Sequence, residues 1–445
     1  MTRPDTVDVS QIIDSRKAGG YQIRTFLLCF VLFLIDGFDT QAIAYVAPSI
    51  ARDWNIPAAQ FGPIFALGLL GSTLGMMVIG WAGDQFGRKI ALLPSLVLFG
   101  GASVLTSYAS TSEELMALRL LTGVGLGGAM PNILAIATEY APSKIRSSVS
   151  TVVFSGYPLG IVLGGLISSV IIPVWGWQTV FLAGGASALA AVPVAYILLP
   201  ESIRFLVLRK RSPPKIAAIL QRIAPGSFRA DARDFVVVEQ PVVGKPIVDL
   251  FTQGRARGTA MIWTLYFASL FWAYFMLNWL PLILRETAVP DRLTVLAPAI
   301  LNLAGIVGCV VLGRFIDRRG PLAVMWPAYI LGAAFTAAIG FVLHSAPLVL
   351  ASIVLAGLFA MGAQFCIVAI ASAFYGTVHR AAGIGWAIGV GRIGSIVGSL
   401  FGGAIIGRLS GPHEIFVYAA LAPLFAAVIV FAMLLAGVVR PAGPG

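Results

Sequence analysis

Long apolar runs alternate with short polar segments along almost the whole chain. Each run has about 20 residues, the length at which an α-helix crosses the hydrocarbon core of a bilayer. The runs do not alternate apolar and polar residues as the strands of a membrane β-barrel do. They lie near 25–49, 61–82, 90–109, 114–139, 148–172, 177–199, 258–284, 294–316, 322–344, 347–375, 383–407 and 414–438. The pattern predicts an all-α membrane protein with twelve transmembrane helices, numbered 1 to 12 below.

One long polar stretch divides the twelve helices into two sets of six. It is rich in lysine, arginine and proline, which is typical of a linker with short surface helices. The predicted organisation is an N-terminus (1–24), an N-terminal half (25–199), a linker (200–257), a C-terminal half (258–438) and a C-terminus (439–445).

The two halves carry similar motifs at one constant separation. Asp84 after helix 2 and Asp317 after helix 8 are 233 positions apart, and Gly160 and Gly394 on helices 5 and 11 are 234 apart. Two independent signals at nearly the same offset indicate duplicated halves. Many transporters are built in this way, from two related halves around a central substrate site.

Composition and charge support a membrane protein and exclude a nucleic-acid-binding one. The chain is 58% hydrophobic and 11% charged, with a mean hydropathy of +0.91, whereas soluble domains are about 25% charged. The net charge is +11, but the basic residues fall on one side of the predicted helices. That side holds Arg16, Lys17, Arg24, Arg88, Lys89, Lys144, Arg146, the linker, Arg314, Arg318, Arg319 and Arg380; the other keeps Arg52, Arg285, Arg292 and Arg408. The positive-inside rule therefore predicts two cytoplasmic termini, and we expect an inner-membrane protein.

The loop after helix 2 reads GWAGDQFGRK over residues 80–89 and is partly repeated after helix 8. Glycines permit a tight reversal there, and the charged residues can pair across helix ends. The loop resembles the signature G-x-x-x-D-x-x-G-R-K of the major facilitator superfamily. That resemblance implies a conformational gate made of Gly80, Asp84, Gly87, Arg88, Lys89, Gly313 and Asp317, with Glu139 as the candidate partner of Arg88.

Helix 1 contains two carboxylates, Asp36 and Asp39, at a spacing that places them on one helical face. A charged side chain in mid-membrane costs roughly 2.5–3.5 kcal/mol on insertion scales, so such residues usually have a function. Burial favours the protonated carboxyl, whereas a nearby arginine favours the carboxylate. We expect these residues to couple proton movement to transport. The alternative is a structural polar pair bonded to neighbouring helices.

Further motifs narrow the resemblance to the aromatic acid/proton symporters of that superfamily, closest to carriers of 4-hydroxybenzoate and protocatechuate. They are Asp36-Gly37-Phe38-Asp39 in helix 1, residues 119–132 with Glu139-Tyr140 in helix 4, residues 199–205 after helix 6, residues 278–281 in helix 7 and residues 389–394 in helix 11. The likeness covers nearly all of residues 21–438. The chain departs from the family at Tyr375-Gly376-Thr377, where the family usually has Tyr-Pro-Thr.

Two arginines lie inside apolar helices and are candidates to bind an anionic substrate. A fixed guanidinium suits bidentate binding of a carboxylate. Arg392 on helix 11 is the leading candidate, while Arg119 on helix 4 is equally well explained as a structural counter-ion. The resemblance implies that helices 1, 4, 7 and 10 line the substrate site. Candidates to hold an aromatic ring are Phe38, Tyr45, Tyr157, Tyr274, Asn278, Trp279 and Gln364.

The sequence therefore predicts a monomeric carrier, embedded in the lipid bilayer, that takes up an aromatic carboxylate with protons by alternating access. No metal-ligand cluster or nucleophile–base arrangement is evident, so we expect no cofactor and no enzymatic activity. Alternatives are a symporter for a dicarboxylate or a shikimate-like acid, a drug/proton antiporter, and a receptor or enzyme on a transporter scaffold. The particular acid and the proton stoichiometry are not determined by the sequence.

Overall fold

A computed structural model describes residues 6–209, 212–226, 234–237, 247–252, 254–285, 287, 289–376, 379–406, 408 and 411–438. Twelve helices within these ranges are long and apolar enough to cross a membrane. Their bounds are Gly20–Asp53, Ala58–Phe86, Arg88–Thr106, Ser112–Glu139, Arg146–Trp175, Gln178–Leu198, Ala256–Leu284, Asp291–Arg319, Pro321–Phe341, Ala346–Phe374, Arg380–Ile406 and Pro412–Leu435. The predicted all-α fold class with twelve transmembrane helices is confirmed.

Most helices extend beyond the apolar runs that predicted them. Helix 1 was expected over 25–49 and spans Gly20–Asp53, because polar residues outside the hydrocarbon can continue the helical hydrogen-bond ladder. Two helices are interrupted. Helix 5 breaks at Ser155, between Arg146–Phe154 and Gly156–Trp175. Helix 10 contains a π-helical turn at Gly357–Met361, a feature frequent at functional sites.

The chain divides into two compact units. Unit 1 comprises residues 1–40, 70–160 and 181–241, and unit 2 comprises residues 41–69, 161–180 and 242–445. Each unit has its own buried apolar cluster, which includes Phe99 in unit 1 and Tyr329 in unit 2. Helices 1, 2, 5 and 6 contribute residues to both units. Large apolar side chains also remain exposed on the helices, as expected for surfaces that face lipid.

The predicted linker contains short helices and also a strand. It contains the helices Ile203–Leu208 and Pro213–Ile223 and a three-residue strand, β2 (Asp234–Val236). The N-terminal segment contains β1 (Thr6–Asp8), which pairs with β2 in parallel, followed by the helix Val9–Asp14. The predicted C-terminal segment 439–445 and Thr377 lie outside the described residues.

Candidate functional site

Asp36 and Asp39 lie on one continuous helix and are both buried, with 1% and 0% of their surface exposed. The hydroxyl of Thr40 donates to Asp36 Oδ1 at 3.2 Å. Gly37 lies between them, against helix 5: a Cβ added there would be 2.0 Å from the carbonyl oxygen of Tyr157. The missing side chain lets the two helix backbones touch, and this contact fixes the acidic turn within unit 1.

Asp39 belongs to a buried polar cluster. Ser103 on helix 3 donates its hydroxyl hydrogen to Asp39 Oδ1 at 2.5 Å. Arg119 on helix 4 is near enough for its charge to interact with that of Asp39. The second carboxyl oxygen, Oδ2, is buried and has no hydrogen-bond partner among the described residues. A carboxyl group in this setting can take up a proton at Oδ2 while Oδ1 keeps its hydrogen bond.

Arg119 is itself held by protein groups and is only 3% exposed. One of its terminal nitrogens donates to the hydroxyls of Thr106 at 2.7 Å and Thr122 at 3.1 Å. Its guanidinium carbon lies 4.6 Å from the centre of the Phe181 ring, a cation–π arrangement. This environment supports the counter-ion alternative for Arg119 more than a role as substrate ligand.

Sequence reasoning missed the residues that complete this cluster. Ser103 and Thr106 are three positions apart on helix 3, a polar pair in an apolar run that could have been noticed. Phe181 and Gly184 on helix 6 gave no such signal. A Cβ at Gly184 would lie 2.8 Å from Asp39 Oδ1, so only a glycine leaves room for the carboxyl group.

The other candidates of unit 1 are aromatic. Phe38 is 8% exposed and packs beside Gly184, whose added Cβ would lie 3.0 Å from the Phe38 ring. Tyr157 on helix 5 is half-buried and stacks on Phe154 with ring centres 6.1 Å apart. Phe38 therefore shares the surroundings of the Asp39 cluster.

In unit 2, two predicted binding residues are engaged by helix 11. Asn278 donates through Nδ2 to the hydroxyl of Ser399 at 2.9 Å, and Trp279 donates through Nε1 to the Ser399 carbonyl at 2.9 Å. Trp279 is fully buried and meets the ring of Phe65 edge-on at 5.4 Å. Tyr45 is also fully buried, and its hydroxyl donates to the Ile161 carbonyl at 2.6 Å. These contacts hold helices together.

The remaining candidates of unit 2 are half-buried: Arg392, Tyr274 and Gln364. Arg392 follows Gly391 on helix 11, which packs closely on helix 7: a Cβ at Gly394 would lie 2.3 Å from the Phe267 carbonyl. Gln364 lies three positions after the π-helical turn of helix 10, which ends at Met361. A half-buried side chain packs against its neighbours and still has surface that a ligand can reach.

The motif after helix 2 forms a sharp turn. Helix 2 ends at Phe86, and Gly87, with a φ of 120°, is the N-cap of helix 3. That φ favours glycine because it lies in the left-handed region. Arg88 forms an ion pair with Asp84 and approaches Asn132 Oδ1 at 3.5 Å. Asp84 and Arg88, two residues of the predicted gate, thus contact each other across the end of helix 2.

Glu139, the predicted partner of Arg88, has Ser202 as its hydrogen-bond partner instead, with 2.5 Å between Oε2 and the hydroxyl. The charges of Glu139 and Arg88 still interact. Glu201, which was not predicted, accepts the backbone N–H of Lys89 at 3.0 Å. Burial raises the pKa of Tyr140 well above its usual range, so its hydroxyl stays protonated and donates to the Glu201 carbonyl at 2.7 Å.

The second copy of the motif repeats the turn. Gly320, with a φ of 82°, is the N-cap of helix 9. It follows Gly87 by 233 positions, the offset that separates Asp317 from Asp84. Asp317 is exposed near the end of helix 8, and nothing would obstruct a Cβ at Gly313. The duplication inferred from the sequence is thus visible as the same backbone turn in both halves.

No group of three metal-binding side chains occurs among the residues described. Cys309 and Cys366 are free, with their sulfur atoms 3.5 Å apart, and Cys29 is free and buried.

Comparison with known proteins gives concordant results. The profile described as Major Facilitator Superfamily matches residues 29–368. The chain is 38% identical over 422 residues to a gallate transporter of Pseudomonas putida, covering 95% of this chain and 93% of the relative. It is 35% identical to the 4-hydroxybenzoate transporter PcaK of Pseudomonas aeruginosa, covering 99% and 98%. Among solved structures, a partially occluded inward-open xylose transporter XylE from E. coli is similar, with a TM-score of 0.72, 17% identity, and 94% and 98% of the two chains covered.

Proposed function

Because this chain belongs to the major facilitator superfamily, we propose that it carries an aromatic carboxylate into the cell together with a proton. The family consists of membrane transporters, so the chain is a multi-pass transporter and not an enzyme. The proposed substrate class is supported by relatives named as transporters of gallate, 4-hydroxybenzoate and benzoate.

The proposal of proton coupling rests on the buried cluster of polar residues around Asp39. Burial favours a neutral carboxyl group, whereas the charge of Arg119 favours the carboxylate. These opposing effects let Asp39 hold a proton in one step of the cycle and release it in another. Ser103 can keep its hydrogen bond to Oδ1 in both forms. In this proposal Arg119 balances the charge of Asp39, and Asp36 assists on the same helical face.

For the substrate, we propose that Arg392 binds the carboxylate. Its planar guanidinium can donate two parallel hydrogen bonds, and its partial burial strengthens them. Tyr274 and Gln364, which are half-buried in the same unit, supply apolar and polar surface for the ring. Asn278 and Trp279 act indirectly, because each already donates a hydrogen bond to Ser399 on helix 11, the helix that carries Arg392.

The proposed cycle is alternating access in a monomer of the inner membrane, with both termini in the cytoplasm. The excess of basic residues around the loop of Asp84 and Arg88 supports this orientation. The ion pair of Arg88 with Asp84 and the bond of Glu139 to Ser202 are contacts that a conformational change can break and remake. Asp317 takes the corresponding place in the second half.

The test is uptake of a labelled aromatic acid by purified protein in proteoliposomes, with and without an inward proton gradient. Asp39→Asn keeps the size of the side chain and its acceptor for Ser103, but it cannot release a proton. We therefore expect this variant to lose accumulation driven by the proton gradient. It should keep the exchange of internal for external substrate, because exchange needs no net proton movement.

The matched control is Asp291→Asn. It removes a carboxylate whose Oδ2 lies 3.8 Å from a terminal nitrogen of Arg52, in an exposed ion pair. Exposed pairs contribute only about 0–1 kcal/mol, so this variant should accumulate substrate as the wild type does. Accumulation by Asp39→Asn equal to the wild type would contradict the role of Asp39. If unlabelled aromatic acids do not reduce uptake of the labelled acid by the wild type, the proposed substrate class is wrong.

A further inference from the structure

A cavity lies within unit 1, and Asp39 is not among the residues that line it. Its volume is about 540 Å³, and it is lined by the start of helices 1 and 3, the end of helix 6 and the linker helix Pro213–Ile223. All the lining residues belong to unit 1. The proposed transport cycle gives this cavity no role.

The cavity is strongly basic. Arg24, Lys89, Lys215 and Arg222 line it, with Glu201 as the single carboxylate among the lining residues, which leaves three net positive charges. Glu201 Oε1 already accepts two backbone N–H groups, from Lys89 at 3.0 Å and Ser202 at 2.8 Å. The cations are therefore poorly neutralised by the protein itself, and the cavity attracts an anion.

Two of the cations are pre-arranged on one aromatic ring. The guanidinium carbons of Arg24 and Arg222 lie 5.1 and 5.8 Å from the centre of the Tyr21 ring. One terminal nitrogen of Arg24 donates a hydrogen bond to the Leu198 carbonyl at 3.2 Å. The Nε of Arg24 is buried and has no hydrogen-bond partner among the described residues. Arg222 is also a hydrogen-bond partner of Tyr21, and the planar guanidinium group has several N–H donors in a geometry that suits phosphate oxygens.

The linker helix Pro213–Ile223 places its cations on the helical face that lines the cavity. Its residues Lys215, Ala218, Ile219 and Arg222 line the cavity at positions i, i+3, i+4 and i+7, which form one helical face. Ile216, Leu220 and Ile223 are buried in the core of unit 1. The apolar residues anchor the helix, so Lys215 and Arg222 are held at the cavity.

The rim of the cavity is apolar and lies on membrane-spanning helices. Ile90 on helix 3 and Ile197 on helix 6 line the cavity and are 55% and 74% exposed. A free phosphate ion would make no use of this rim, whereas acyl chains would cover it. We propose that the cavity binds the phosphate headgroup of an anionic phospholipid, with its acyl chains along Ile90 and Ile197. Basic sites of this kind between transmembrane helices suit such lipids.

The test is a lipid titration of the full-length protein, followed by native mass spectrometry. It compares phosphatidylglycerol with zwitterionic phosphatidylcholine for the wild type and for Lys215→Gln/Arg222→Gln. We expect the wild type to prefer phosphatidylglycerol. The double variant should bind it about thirtyfold more weakly, from about fivefold for each cation near a membrane surface. This measurement involves no transport and is independent of the proposed substrate.

The matched control is Lys144→Gln/Arg257→Gln, which removes one lysine and one arginine that are exposed and do not line the cavity. It should bind phosphatidylglycerol as the wild type does. If the double cavity variant does not fold, Lys215→Gln alone should weaken binding by about fivefold. Equal lipid affinity of cavity and control variants would overturn the proposal. Displacement of the lipid by an equal concentration of glycerol 3-phosphate would assign the cavity to a soluble phosphate and also overturn it.

Discussion

Replacing Gly37 by alanine should separate helices 1 and 5. The added Cβ would lie 2.0 Å from the Tyr157 carbonyl oxygen and 2.8 Å from its carbon, and these backbone atoms cannot rotate away. An ordinary contact begins at 3.4 Å, so the helices must move apart by about 1.4 Å. Overpacking of this kind costs about 1–3 kcal/mol. The unfolding midpoint should fall by at least about 2 °C.

The same displacement should impair transport, because Gly37 lies between Asp36 and Asp39. A shift above 1 Å would disturb the 2.5 Å hydrogen bond between Ser103 and Asp39. Misplacement of a reacting group by this distance can slow a reaction by about a hundredfold. The assays are unfolding followed by tryptophan fluorescence and gradient-driven uptake in proteoliposomes.

Two further variants separate packing from function. Gly160→Ala acts on the same helix pair, since its Cβ would lie 2.1 Å from the Leu34 carbonyl oxygen, but it lies further from Asp39 along helix 1. It should lower the unfolding midpoint similarly and reduce uptake less. Gly101→Ala, which has nothing within 4 Å of the added carbon, should lower neither the unfolding midpoint nor uptake. If Gly37→Ala matches the wild type in both assays, the inferred helix contact does not form.

Two other predictions follow from the proposed function. Arg392→Lys should weaken binding of an aromatic acid about thirtyfold or more, from roughly 2–5 kcal/mol for a desolvated charge pair, and leave binding of the uncharged amide almost unchanged. Unchanged acid affinity in Arg392→Ala would make Arg119 the leading carboxylate ligand. Asp84→Asn and Arg88→Ala should slow transport but retain ligand binding in detergent, and loss of binding by a folded variant would move these residues into the substrate site.

The helices and the duplication could be predicted from the sequence because each is indicated by short patterns of neighbouring residues. Apolar runs of membrane length require helices whose backbone bonds are satisfied internally. The repeated glycine and aspartate motifs gave the offset at which Gly87 and Gly320 later proved to form the same turn. These features depend on residues close together in the chain.

The partners of the candidate residues could not be predicted in the same way. Asp39 and Ser103 are 64 positions apart, and Glu139 and Ser202 are 63 apart. Their contacts depend on how helices rotate and pack, which composition and spacing do not determine. Asn278 illustrates the result: a polar residue in an apolar helix indicated a partner, but not that Ser399 would be that partner.

The short pairing of β1 with β2 has a consequence for the order of folding during synthesis. Thr6 pairs with Asp234, 228 positions later in the chain. At a synthesis rate of about 5–20 residues per second, β1 waits roughly 10–50 s for its partner to leave the ribosome. The whole N-terminal set of six helices is made in that interval. The strand pair can therefore close only over a half that has already been translated, and it joins the beginning of that half to the segment that follows it.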